Sequence, residues 1–163
     1  MTTEDFIIRE IQQKDNQEIA QVIRSVLVEF GAPKIGTAYE DKETTMMYES
    51  YRAEKEIYFV VEVDGEILGG AGIKHLKNFE EDVCELQKMY FSSKIRGKGY
   101  GKLIFEKCLQ SAKEIGYNKC YLESASILKT AIHIYEKYRF KHLEKPLGST
   151  GHYSCGVWMI KEL

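Results

Sequence analysis

"KIRGKGYGKLIF", residues 94–105, sets three glycines among four Lys/Arg side chains and then turns abruptly apolar. Gly97, Gly99 and Gly101 carry no side chain, so the amides of this stretch can approach a ligand closely. Beyond them Leu103/Ile104, Cys108, Ala112 and Ile115 recur at helical spacing until Gly116 ends the stripe. A bare, basic turn that feeds a helix suits an anion, because the first N–H groups of the helix are unpaired and its dipole is positive there. Arg96, Lys98 and Lys102 add charge at the rim, and a pyrophosphate is the natural guest. A Walker loop would need Ser or Thr after Lys102, where Leu103 stands, and a dinucleotide fingerprint would need G-x-G-x-x-G rather than G-x-G-x-G. The plain alternative is a flexible basic turn, which the strand before it and the amphipathic helix after it disfavour.

Working outward, Val83–Phe91 reads as a strand, Gly99–Ile115 as the helix and Lys119–Glu123 as the next strand, a βαβ unit with a right-handed crossover expected. Upstream, "IYFVVEV" and "EILGGAGI" flank Asp64-Gly65, a dipeptide suited to the positive φ angles of a hairpin turn. Phe6–Ile11 has strand character, and Ile19, Val22, Ile23, Val26, Leu27 and Phe30 form a helical stripe closed by Gly31. "TTMMYESYRA" predicts a second short helix, Ala131 to Tyr138 another, and "GVWMIKEL" a last strand. The predicted order is β, α, α, β, β, β, α, β, α, β, β, a mixed sheet with helices on its faces.

At 163 residues, with 44% hydrophobic and 29% charged side chains, the chain suits one folded domain rather than a disordered or fibrous protein. A net charge of -2 and a pI near 6.1 argue against a dedicated nucleic-acid or membrane partner. Cys84, Cys108, Cys120 and Cys155 have no Cys-x-x-Cys or zinc-ligand spacing, so reduced thiols and no metal are expected. Neither a leader-like N-terminal pattern nor a run of ~20 apolar residues is visible, and a cytoplasmic location is expected.

The segment Arg96-x-x-Gly99-x-Gly101, the strand "ELQKMYF" before it and "AIHIYEKYRF" after the fifth strand together resemble the GNAT superfamily of acyl-CoA-dependent N-acyltransferases. The resemblance implies an α/β fold of the α+β type, a mixed, mostly antiparallel sheet flanked by helices with a splayed central strand pair, as one N-acetyltransferase domain over residues 1–163. It implies acetyl-CoA as acyl donor, its pyrophosphate on the amides of residues 97–102 and its thioester and pantetheine along the fourth strand. The expected donor-binding residues are Met89, Tyr90, Phe91, Arg96, Gly97, Lys98, Gly99, Tyr100, Gly101 and Lys102. Two positions depart from the family: Leu128 replaces a common Asn, and Arg139 replaces a usual Gly, where capping of the helix end is the preferred reading.

An alkyl amine of pKa ~10.4 is neutral in only about one molecule in 2,500 at pH 7, so acyl transfer needs a route for the ammonium proton. Glu85 matches the position of a general base in some relatives, while others use a water chain. Strand alternation would put Glu85, Gln87, Met89 and Phe91 on one face before any bulge. The departing thiolate needs a proton too, and Tyr135 aligns with the family's tyrosine of the "YEK-x-x-F" segment. Glu29 among the acids of residues 29–43, with His152 and Tyr153 in "GSTGHYSC", is expected to border an acceptor pocket. Polyamine, amino acid, aminoglycoside and protein N-terminus all remain open as the acceptor. A non-catalytic CoA sensor or partner-binding module is the alternative function, and a homodimer is a family-level expectation.

Overall fold

The computed structural model describes residues 4–151 and 155–163. The elements are β1 (Phe6–Glu10), α1 (Asn16–Glu29), α2 (Met47–Ser50), β2 (Ile57–Val63), β3 (Glu66–His75), β4 (Val83–Phe91), α3 (Tyr100–Ile115), β5 (Lys119–Ser124), α4 (Lys129–Lys137), β6 (Lys141–Leu143) and β7 (Val157–Glu162). This is the order that the hydrophobic patterning predicts. The seven strands form one sheet in the order β1-β2-β3-β4-β5-β7-β6. β4 and β5 run parallel across the α3 crossover, and the other neighbours are antiparallel.

Local chemistry accounts for the connections. Asp64 and Gly65 adopt φ of 49° and 83°, the pair of left-handed conformations that a two-residue hairpin turn requires, and Val63 lies opposite Glu66. At the end of α3, Gly116 is left-handed and both its N–H and that of Tyr117 return to the carbonyl of Ala112.

Alternation then divides the sheet into two apolar faces. On one, Phe59, Ala71, Ile73, Cys84, Leu86 and Leu122 pack with Ile104, Phe105, Cys108 and Ala112 of α3 and Tyr135 of α4. On the other, Tyr58, Val60 and Ile67 pack with Ile19, Val22, Ile23, Val26 and Leu27 of α1 and with Met47 and Tyr51. Each fully buried aliphatic side chain contributes about 1.5–3 kcal/mol, so the α1 stripe anchors the helix.

The parallel ladder between β4 and β5 joins only Val83–Leu86 to Lys119–Leu122, although β4 continues to Phe91. Beyond Leu86 the two strands part. There β4 also slips its register against β3: Gly72 pairs with Gln87 and Gly70 with Tyr90, so Lys88 and Met89 together oppose Ala71. Lys88 has φ of 47°. This bulge corrects the one-face expectation, because Glu85 and Gln87 stay on the α1 side whereas Met89 and Phe91 pack on the α3 side and Tyr90 on the α1 side. One extra residue reverses the alternation of everything after it.

Candidate active site

A groove with room of about 390 Å³ runs along β4 to the start of α3, lined among others by Phe30, Met89, Phe91, Arg96, Gly97 and Gly101. Gly97 and Gly99 have φ of 77° and 89°, and a Cβ on either would stand in open space, so the backbone itself forms this wall. Gly99 is the residue before α3, whose first N–H groups therefore end at the groove. A Cβ on Gly101 would lie 3.4 Å from the Phe91 ring, so the missing side chain also lets α3 approach β4. The site fits an extended ligand carrying a diphosphate.

The rim cations are already partnered. Arg96 pairs with Glu29, donates to the Phe91 carbonyl at 3.0 Å and lies over the Phe30 ring. Lys98 pairs with Glu4, which also accepts from the Tyr100 hydroxyl, and Lys102 stands 4.0 Å from Glu106. The side chains of Lys98 and Tyr100 thus turn from the groove, whereas Arg96 and Lys102 line it. Glu29 is drawn to Arg96 rather than to the acceptor side, where the sequence reading puts it.

A second, narrow pocket with room of about 50 Å³ opens where β4 and β5 separate. It brings Glu85 and Tyr135 together, the two residues expected to move protons, although they stand on opposite apolar faces of the sheet. Glu85 is 2% exposed and accepts a hydrogen bond from the Gln87 amide, whose oxygen accepts from the Tyr51 hydroxyl at 2.6 Å. Tyr135 packs its ring against Phe105 and Phe140. Burial holds its phenol well above the ordinary range, so it remains a proton donor at every physiological pH.

Met89, Tyr90, Leu128 and Ala131 line both the groove and the pocket. Leu128 is an apolar wall at that junction and offers α4 no side-chain cap.

Several pocket residues carry no motif. Glu123 lies on the Glu85 side of the sheet by register and accepts from Tyr121 at 2.6 Å and from Thr150. Lys88, buried, meets Asp41 at 3.2 Å and Glu43 at 3.3 Å, and Glu43 also meets Lys74 at 3.0 Å. These two loop acids serve the protein's own lysines. The Cys155 thiol is pushed up to about 12 by burial and by the carboxylates of Glu123, Glu85 and Asp41. Period-two alternation marks Glu123 only once the register of β4 and β5 is known. Lys88 and Cys155 leave no signal in the sequence. His75, bonded to the Glu81 carbonyl, His142, beside Glu136, and the exposed His133 stand outside both cavities. His152 and Tyr153 lie outside the described residues.

A groove with glycine amides at one end thus adjoins a pocket lined by Glu85 and Tyr135. The chain belongs to the acetyltransferase (GNAT) family, whose profile matches residues 20–140, and it is an acyl-CoA-dependent acetyltransferase. It is 43% identical over 159 residues to the uncharacterized N-acetyltransferase YjgM of Escherichia coli K12, covering 96% of this chain and 95% of that protein. Among solved structures, a GNAT-family acetyltransferase of Staphylococcus aureus Mu50 superposes with a TM-score of 0.85 at 18% identity, over 97% and 99% of the two chains. YncA of Salmonella typhimurium, solved with acetyl-CoA, superposes at 0.77 with 16% identity, over 97% and 94%. Among the described residues no helix is long and apolar enough to cross a membrane.

Proposed function

We propose that the chain, as one acetyltransferase domain, transfers the acetyl group of acetyl-CoA to a primary amine of a small molecule or peptide, by direct attack while both substrates are bound. The observation that carries this reading is the shared wall of Met89, Tyr90, Leu128 and Ala131, because a thioester lying there has the groove behind it and Glu85 and Tyr135 ahead. The acetylated coenzyme supplies an activated carbonyl with a thiolate leaving group. Amides of residues 97–102 hold its diphosphate, and β4 past the bulge holds its arm as an added strand would be held. Glu85 takes the proton released as the amine nitrogen bonds to the carbonyl carbon, and Tyr135 gives its proton to sulfur as the carbon–sulfur bond breaks. The products are the amide and the free thiol.

A phenol this weakly acidic needs a strong base to receive its proton. Burial, which with nearby carboxylates pushes the Cys155 thiol up in this pocket, would also make a departing thiolate more basic. Glu29 acts on this reading through Arg96, at the donor side.

Incubation of the purified protein with acetyl-CoA and a panel of polyamines, amino acids, aminoglycosides and peptides, read as free thiol released, tests the proposal. Turnover with one class is expected. Acetyl-CoA binding without turnover across the panel would favour the sensor alternative, and no binding of any CoA thioester would defeat both.

A further inference from the structure

The β4 bulge is where donor groove and acceptor pocket meet, and a bulge costs the ladder a regular pair of hydrogen bonds. Something must hold it in one geometry. Tyr58 stands on β2, two strands away, opposite Gly72 of β3. It is 1% exposed, and its hydroxyl donates to the Lys88 carbonyl on β4 at 2.7 Å. To reach that atom the ring must lie across β3. It can do so only because β3 has no side chains beneath it: a Cβ on Gly70 would stand 2.6 Å from Cε1 and 2.7 Å from the hydroxyl oxygen, and one on Gly72 would overlap the ring.

We infer that Tyr58 is a positioning residue for acyl transfer, a strut laid across Gly70 and Gly72 that fixes the Lys88 carbonyl and thereby aims the backbone of Met89 and Tyr90 at the thioester. Two observations meet in the bulge. Its carbonyl is held from β2 by Tyr58, and its ammonium is held from the loop before α2 by Asp41 and Glu43. Lys88 in the left-handed region, with φ of 47°, is a strained choice for a non-glycine residue and persists only where surroundings over-determine it. The strut and the loop acids are those surroundings. The Tyr58 ring also packs on Tyr51, 5.1 Å between centroids, but its hydroxyl bonds the Lys88 carbonyl, so removing the hydroxyl alone acts on the site through the main chain. This role rests on the proposed donor site.

Tyr58→Phe keeps the ring and removes only the hydroxyl. In this variant kcat/KM for acetyl-CoA, scaled to folded protein, is expected to fall by roughly 10-fold to 100-fold, because a displaced reacting group is costly even when contacts survive. The shape of the pH profile should stay as in wild type, since no titrating group of the site is altered. Tyr117→Phe is the control: Tyr117 is also a buried tyrosine, and its hydroxyl donates to the Lys55 carbonyl at 2.8 Å, outside both cavities. That variant should stay within about twofold of wild type. Equal losses in both variants, or none in Tyr58→Phe, overturn the inference. Amide hydrogen exchange at Met89 and Tyr90 gives a second readout that needs no acceptor, and faster exchange in Tyr58→Phe than in wild type is expected. Unchanged exchange overturns the strut even if catalysis is found, whereas faster exchange sustains it even if no acceptor is found. Should Tyr58→Phe fail to fold, the wild-type protein decides: a slowly exchanging Tyr58 hydroxyl proton with a nuclear Overhauser effect to the bulge supports the contact, and its absence refutes it.

Discussion

Two side chains bear most of the proposed chemistry, and each can be tested alone. Tyr135→Phe leaves the packing against Phe105 and Phe140 intact while removing the proton. Its kcat is expected to fall by about 100-fold with acetyl-CoA affinity unchanged, as steady-state kinetics and calorimetry would show. Unchanged turnover would strip Tyr135 of the acid role. Glu85→Gln keeps the shape and the neighbour Gln87 but removes the base, so kcat/KM for the amine should drop by about 100-fold. The acidic limb of the rate profile should also flatten, because that limb reports protonation of the base. A preserved limb would hand the role to a water chain. Both residues were legible in the sequence as a strand carboxylate and a helical tyrosine aligned with a family motif. Lys88 and Glu123 were not, since they enter the pocket only through the register of β4 against its neighbours, and neither was Cys155, which reaches it from the segment before β7.

At the scale of elements, the ends of helices decide more than their interiors. α4 closes on Arg139 with φ of 68°, and the N–H of Phe140 returns to the carbonyl of Tyr135. The position demands the left-handed conformation, which favours Gly and costs a side-chain-bearing residue about 1 kcal/mol. Arg139 therefore occupies the turn that closes the helix. Arg139→Gly should stabilise the protein by up to about 1 kcal/mol in urea titration, with kinetic constants for acetyl-CoA unaltered. Lower affinity for acetyl-CoA in that variant would show instead that the exposed guanidinium reaches the ligand. The start of α3 shows the complementary case, in which left-handed Gly97 and Gly99 leave the amides open to the groove.

Across the whole molecule, β1, the start of α1 and β2 are tied by one guanidinium. Arg9 donates to Asp15 at 2.7 and 3.0 Å and to Glu62 at 2.7 and 3.0 Å. Burial alone would raise the Asp15 carboxyl, but the bonds from Arg9 and from the Gln12 amide outweigh it and hold the group below the usual carboxylate range. A depressed folded pKa contributes stability that is complete above the unfolded value of ~3.9 and is lost as pH falls through the folded one. Asp15→Asn is thus expected to cost about 2 kcal/mol at pH 7 and progressively less below pH 4, measured as urea midpoints across pH. An equal cost at pH 7 and pH 2.5 would remove the electrostatic account. What the sequence determined by itself was everything that depends on near neighbours along the chain: the Asp64-Gly65 hairpin, the stripes of α1 and α3, the glycine turn before α3, and through them the order of elements and the family. What only the tertiary structure decided was everything that depends on strand register: the parting of β4 and β5 after Leu86, the bulge at Lys88, the meeting of Glu85 with Tyr135 and the reach of Tyr58 over Gly70 and Gly72. The reason is physical. Backbone propensity and periodicity act over a few residues, whereas a register is set by packing between segments tens of residues apart, and shifting it by one residue exchanges the two faces of a strand.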